Sequence, residues 1–210
     1  MQTEIDMETK ELILKESLEL FLQLGFKSVT MDEIASKMGM SKKTLYNHYK
    51  NKNELVAAAS LHMCNYLCNG VDAITVAENR NPIEEMYEVK SYVMKELKAD
   101  SSSAIYQLQK YYPEVHKIAN RQMYQHMDAC IYRNVERGIE LGLYRDNIDK
   151  TFVARMYFIG AQGIKDVSIF PADQFKMNDL HDQYLEYHLR GIVTPTGRKI
   201  LNEITQSNHH

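Results

Sequence analysis

The sequence predicts an all-α chain. Apolar residues recur at helical spacing, and the alternation that marks strands is nearly absent. Four prolines interrupt the 210 residues, at 82, 113, 171 and 195, each where a helix can begin or end. Two windows in close succession, "VTMDEI" and "MSKKTL", repeat the chemistry of a helix start.

The first helix is expected from Glu8 to Leu24, with Asp6 as its cap and Ile13, Ser17, Leu20, Phe21 and Leu24 along one face. Gly25 ends it. In the first window Thr30 can accept from the amide of Glu33 while Glu33 reaches back, and Val29 can pack on Ile34. This capping box and staple start a short helix that runs to Met38 and stops at Gly39. The second window repeats the device, with Ser41 as cap and Met40 opposite Leu45. Two short capped helices around a glycine-containing turn form a helix-turn-helix signature. Asn51, with Glu54 three residues on, then opens a long helix from Lys52 toward Asn79.

Longer helices are expected over roughly 82–98, 102–111, 113–140, 149–166 and 173–191. The break "LGLYRDNIDK" carries Gly142 and Asp146-Asn147 as turn chemistry and Asp149 as the next cap, and "SIFPAD" makes the following break. The expected organisation is a domain over 1–53, a second helical domain over 54–195 and a tail over 196–210, partly ordered after Gly191. His209 and His210 are assigned no function.

A formal net charge of −3 argues against binding polyanions with the whole surface, so a nucleic-acid contact has to come from a local patch. From Lys27 to Lys52 there are six lysines against Asp32 and Glu33, whereas residues 4–19 are acidic. Three cysteines, Cys64, Cys68 and Cys130, do not make a disulfide framework. With no signal-peptide pattern and no bilayer-length apolar run, a soluble cytoplasmic protein without membrane contact is expected.

The basic island holds "GMSKKTLYNHYKNKNEL". On a helix over 42–49, Leu45 and Tyr49 turn toward the core with Ile34 and Met38, and Lys42, Lys43, Tyr46 and Asn47 fall on the opposite side. Lysine ammoniums and a tyrosine hydroxyl reach phosphates, and lysine and asparagine can also bond base edges in the major groove. Thr30 and Lys52, each at a helix N-terminus, can hold the backbone on either side. A lysine-rich helix can equally be a solvated face.

From Ile13 to Leu55 the chain resembles the DNA-binding domain of the TetR family of bacterial transcriptional regulators. The resemblance rests on "LFLQLGF" (20–26) and "VTMDEIASKMGMSKKTLYNHYKNKNEL" (29–55). It implies an N-terminal helix-turn-helix, three-helix DNA-binding domain followed by a larger helical ligand-binding and dimerisation domain. It also implies a homodimer whose recognition helix, about Lys42 to Tyr49, enters the major groove of a double-stranded DNA operator. Candidate DNA-binding residues are Thr30, Ser41, Lys42, Lys43, Thr44, Tyr46, Asn47, His48, Tyr49 and Lys52, with Thr30, Tyr46, His48 and Lys52 mainly on phosphates. Lys43 departs from the glycine or alanine frequent in the family, so an operator sequence does not carry over.

The resemblance further implies that two late helices, here about 149–166 and 173–191, pair with those of a second subunit. Phe152, Met156, Ile159, Gly160 and Gly163 give the first of them an apolar face with small residues; an intrachain core contact is the alternative. Twelve methionines and fourteen tyrosines suit a pocket for a mostly apolar small-molecule effector, with Met94, Tyr106, Met123, Met127 and Phe158 as candidate lining. Cys64 and Cys68 share a helical face without a third ligand, and His181 and His188 are assigned to surface or interface, so no metal is expected. No cofactor motif, phosphate-cradling loop or nucleophile elbow occurs, so catalysis is not expected. The expected function is a ligand-released repressor on a near-palindromic operator. The alternatives are an activator, a ligand-independent regulator, or a helical interaction module that has lost DNA binding.

Overall fold

The computed structural model describes residues 2–76, 80–97 and 102–208. Ten helices are present among the described residues: α1 Gln2–Leu24, α2 Met31–Lys37, α3 Lys42–His48, α4 Lys52–Thr75 and α5 Pro82–Glu96, then α6 Ser102–Tyr111, α7 Pro113–Glu140, α8 Lys150–Gly163, α9 Met177–Ile192 and α10 Pro195–Asn208. No strand occurs among these residues beyond one isolated bridge, Tyr144 to Val193.

The chain divides into two compact units, residues 1–67 with 100–122 and residues 68–99 with 123–210. In the first, α1 packs on α2 and α6, and α2 packs on α3. Its core gathers Ile13, Phe21, Val29, Ile34, Leu45, Leu55 and Leu108. Burying each such side chain contributes roughly 1.5–3 kcal/mol. In the second, α9 packs on α5, α8 and α10 around Ile83, Val135, Tyr144, Leu185, Leu189 and Leu201. Its polar centre is also satisfied: buried Glu85 takes hydrogen bonds from Arg137 at 2.6 Å and Asn134 at 2.7 Å, and Tyr144 donates to Asn134 at 3.1 Å.

Several sequence expectations are corrected. α1 begins at Gln2, so Asp6 lies inside the helix rather than ahead of it; no breaker separates it from the residues before it. Leu24 leaves the predicted face and is exposed. α4 ends at Thr75, and Asn79, its expected limit, lies outside the described residues, as do His209 and His210. α8 stops at Gly163 and α9 starts at Met177, each inside the expected span.

The largest correction concerns the expected tail. Residues 195–208 form α10, with Pro195 in its first turn. Thr194 Oγ1 accepts from the amide of Gly197 at 3.2 Å, and Leu201 is fully buried in the core of the second unit. The Thr194 amide donates to the Leu143 carbonyl at 2.9 Å, and the Arg145 amide to that of Ile192 at 2.8 Å, which ties the α9–α10 junction to the turn after α7.

Candidate nucleic-acid interface

The helix-turn-helix is built by local hydrogen bonds. Thr30 Oγ1 accepts from the Glu33 amide at 3.2 Å, and Glu33 Oε2 accepts from the Thr30 amide at 2.7 Å, which closes the capping box that starts α2. The Thr30 amide and, at 3.0 Å, the Thr30 hydroxyl both donate to Glu33 Oε2 and hold the Glu33 carboxyl below its usual pKa. Gly39 takes a φ of +62°, in the left-handed region, and so turns the chain between α2 and α3. Ser41 Oγ accepts from the Thr44 amide at 3.1 Å and starts α3. Met40 and Val29 both pack into the first unit's core, as the staples require.

Seven residues of α3 then separate by face. Leu45 is fully buried, and Lys42, Lys43, Tyr46 and Asn47 are exposed, with Tyr46 at 45%. Thr44 and His48 are half-buried, and Ser41 and Thr30 are exposed with their hydroxyls spent on the caps. Tyr49 is corrected: it is 2% exposed, and burial pushes its phenol up to about 12. It follows α3 as its C-cap and packs inward with Leu45, so it does not reach DNA.

The lysines of the island are engaged to different degrees. Lys37 pairs with Glu16 at 3.3 Å and Glu19 at 3.5 Å, and Lys42 with Asp32 at 2.5 Å. Lys27 lies over the Tyr111 ring, 4.5 Å from its centroid. Lys52 is half-buried, and its ammonium donates to the Lys27 carbonyl at 2.8 Å, tying the start of α4 to the turn after α1. Burial lowers the Lys52 pKa, opposed by the nearby Glu33 carboxylate. That bond uses one of three ammonium donors, so Lys52 keeps capacity for a phosphate. Lys43 has no anionic partner among the described residues.

The expected pocket residues are divided between the two units. Tyr106 belongs to the first unit and is exposed, with the Lys110 ammonium 5.7 Å from its ring centroid, so it does not line an enclosed site. The other four lie in the second unit: Met94 and Met123 are half-buried, Met127 packs on its core, and Phe158 meets Tyr124 edge-on at 5.0 Å. On α8, Phe152, Met156 and Ile159 are 62%, 43% and 59% exposed and form an apolar stripe. Gly160 is not part of that stripe: a Cβ there would lie 2.3 Å from the Tyr184 ring, so its smallness serves α9 of the same chain. Gly163 faces open space.

His188 is half-buried, edge-on to Tyr157 at 5.0 Å, and burial pushes it down to about 4. Burial, with Lys165 and Lys90 nearby, takes His181 down to about 4 as well. The Cys64 thiol donates to the Ala119 carbonyl at 3.3 Å. The structure also brings Asp72, His126 and Cys130 together, a group the sequence reading missed. The available signal was the four-residue spacing of His126 and Cys130, which places both on one face of α7.

Comparison with known proteins agrees with this geometry. Residues 13–59 match the family model "Bacterial regulatory proteins, tetR family". Over 52 residues the chain is 46% identical to the uncharacterized HTH-type transcriptional regulator YerO of Bacillus subtilis, a match covering 25% of this chain and 18% of that one. It is 25% identical over 147 residues to the uncharacterized HTH-type transcriptional regulator YdeS of the same organism, covering 69% and 71% of the two chains. Among solved structures it resembles SmeT, the repressor of the Stenotrophomonas maltophilia multidrug efflux pump SmeDEF, with a TM-score of 0.67 at 19% identity over 89% of this chain and 91% of that one. SmeT has also been solved in complex with triclosan. The matched segment therefore carries the helix-turn-helix of the tetR-family model, and the chain shares its fold with solved transcriptional regulators along most of its length.

Proposed function

We propose that the protein is a homodimeric repressor that lays α3 in the major groove of a near-palindromic operator and leaves it when a small, mostly apolar molecule occupies the second unit. The observation that carries the reading is the division of α3, with Leu45 buried beneath it and Lys42, Lys43, Tyr46 and Asn47 presented outward. These side chains supply phosphate contacts and base-edge hydrogen bonds, and the core beneath them holds the helix rigid.

A two-fold dimer meets successive major grooves when its recognition helices lie about 34–36 Å apart. The stripe of Phe152, Met156 and Ile159 on α8 supports a partner copy as its occupant. The effector reading draws on SmeT, known with triclosan bound, and on the methionine-rich and tyrosine-rich composition, with Met94, Met123, Met127 and Phe158 as candidate lining. α4 starts at Lys52 beside the basic island and contributes its last turns to the second unit, so it is one covalent route between effector and DNA, as is α7. An effector shifts the equilibrium only by its differential affinity for the two states.

The test is fluorescence anisotropy of the purified protein with its own upstream DNA over a salt series. Two protomers per site are expected, with a steep log-log salt slope and loss of binding in Lys42→Ala/Tyr46→Ala while the helical content is kept. Weak binding indifferent to sequence, unchanged in the double variant, refutes it. Deleting the gene separates repressor from activator: neighbouring transcription rises for the first and falls for the second.

A further inference from the structure

Within the second unit, three side chains from two helices bring one ligand atom each close together. Asp72 lies on α4, and His126 and Cys130 lie on one face of α7. His126 Nε2 is 3.0 Å from Asp72 Oδ1, and Cys130 Sγ is 3.9 Å from that oxygen and 3.8 Å from Nε2. A triangle with those sides has a centre about 2.1 Å from every corner, within the roughly 2.0–2.3 Å that zinc keeps from carboxylate oxygen, imidazole nitrogen and thiolate sulfur. Raising that centre slightly out of the plane gives an ion with three protein ligands in a distorted arrangement and one open position. A plain histidine–aspartate hydrogen bond accounts for the 3.0 Å approach alone; it does not require a thiol facing both partners.

We propose that Asp72, His126 and Cys130 bind one zinc-class divalent cation, with the fourth coordination position open to water or an exogenous ligand. Thiolate, imidazole and carboxylate together suit zinc and its transition-metal neighbours, whereas magnesium and calcium take oxygen sets. The site is closed at its sulfur and accessible at its carboxylate: Cys130 is 6% exposed, and the side chains of His126 and Asp72 are 20% and 50% exposed. Arg133 Nη2 donates to Cys130 Sγ at 3.3 Å. An N–H directed at a bound thiolate is an outer-shell contact of the kind that fixes a ligand and favours its charged form. The site lies wholly within one unit and does not depend on the DNA-binding reading.

The test strips the full-length protein with a chelator, then titrates Zn²⁺ against a chromophoric chelator and, separately, Co²⁺. One equivalent per chain is expected, with thiolate-to-cobalt charge-transfer absorption. That absorption requires sulfur in the coordination shell and so separates this site from binding through His209 and His210. Cys130→Ser removes the absorption and weakens zinc by more than the ~10–100-fold lost with an outer-shell partner. Asp72→Asn keeps the absorption and weakens zinc at least about tenfold, on the same scale. Cys64→Ser and Cys68→Ser, made singly, keep both signals. Circular dichroism checks each fold; if Cys130→Ser does not fold, Asp72→Asn and His126→Gln carry the comparison. No stoichiometric binding by the folded wild type overturns the proposal. So does a sulfur band that survives Cys130→Ser or is lost with Cys64 or Cys68.

Discussion

Asp32→Asn is expected to strengthen DNA binding while slightly weakening the fold. Asp32 holds the Lys42 ammonium at 2.5 Å, and the two side chains are 57% and 64% exposed. Such a pair contributes about 0.2–1 kcal/mol in water, and DNA has to compete for the lysine against it. Removing the carboxylate therefore returns up to about fivefold in affinity through that contact alone. It also removes a negative charge beside the phosphates, worth roughly another 0.5 kcal/mol at ~8 Å in water-like dielectric. The expected gain is about 2–10-fold near physiological salt, and the log-log salt slope steepens by up to about 0.9, because one more net cation displaces counterions. The cost falls elsewhere. Asp32 sits in the first turn of α2, where an acid complements the helix dipole, so its loss lowers stability by about 0.3–1 kcal/mol.

The assay is anisotropy of a labelled upstream fragment over a salt series, with urea unfolding of the same preparations. Opposite signs of the two effects exclude a general change in folding as the cause of tighter binding. Lys42→Ala in the Asp32→Asn background closes a double-mutant cycle, and the gain through Lys42 must vanish there. If Asp32→Asn leaves affinity and slope unchanged with the fold intact, or weakens binding, then Lys42 is not directed at phosphates and the assignment of the outer face of α3 fails.

Three further outcomes follow from the same geometry. Thr30→Ala removes the α2 cap and is expected to cost about 1 kcal/mol in urea unfolding, whereas Thr30→Ser keeps the acceptor and recovers most of it. His188 is held neutral to about pH 4 against an ordinary 6.5, so the unfolded chain takes the proton first. Its contribution is complete above pH 6.5 and is lost as pH falls toward 4, up to about 3 kcal/mol; His188→Gln flattens that part of the stability profile, and an unchanged profile refutes the assignment. Phe152→Lys with Ile159→Lys places two charges in the exposed α8 stripe, and sedimentation is expected to show a folded monomer; a dimer that persists moves the interface elsewhere.

What the sequence made legible is what short-range chemistry decides. Thr30 with Glu33, Ser41 with Thr44, Asn51 with Glu54 and Asp149 with Phe152 are all three residues apart, and all four caps are present. Such pairs are fixed by the geometry of a first helical turn, so a linear pattern suffices to find them. The faces of α3 followed for the same reason, since the buried Leu45 and Tyr49 are one turn apart. Listing Tyr49 among DNA contacts set its family resemblance against that spacing, and the spacing was the better guide.

The misses have the opposite character, because each depends on a partner far along the chain. α10 is ordered by Leu201 entering the second core and by Thr194 bonding the Leu143 carbonyl, neither of which the Thr-Pro-Thr-Gly run beneath it announces. Gly160 looked like an invitation to a partner helix, but its space is filled by Tyr184, 24 residues later in the chain. The methionine and tyrosine pocket candidates resisted assignment because composition describes a kind of surface without locating it. Asp72 with His126 and Cys130 combines both cases. The four-residue half of the group is visible on α7, and the third ligand, 54 residues before His126, is supplied only by how α4 and α7 fold together in the second unit. A metal site split in this way is also one whose affinity reports that packing. Zinc retention by a variant therefore measures whether the end of α4 still meets α7, in a part of the chain that no cap or staple specifies.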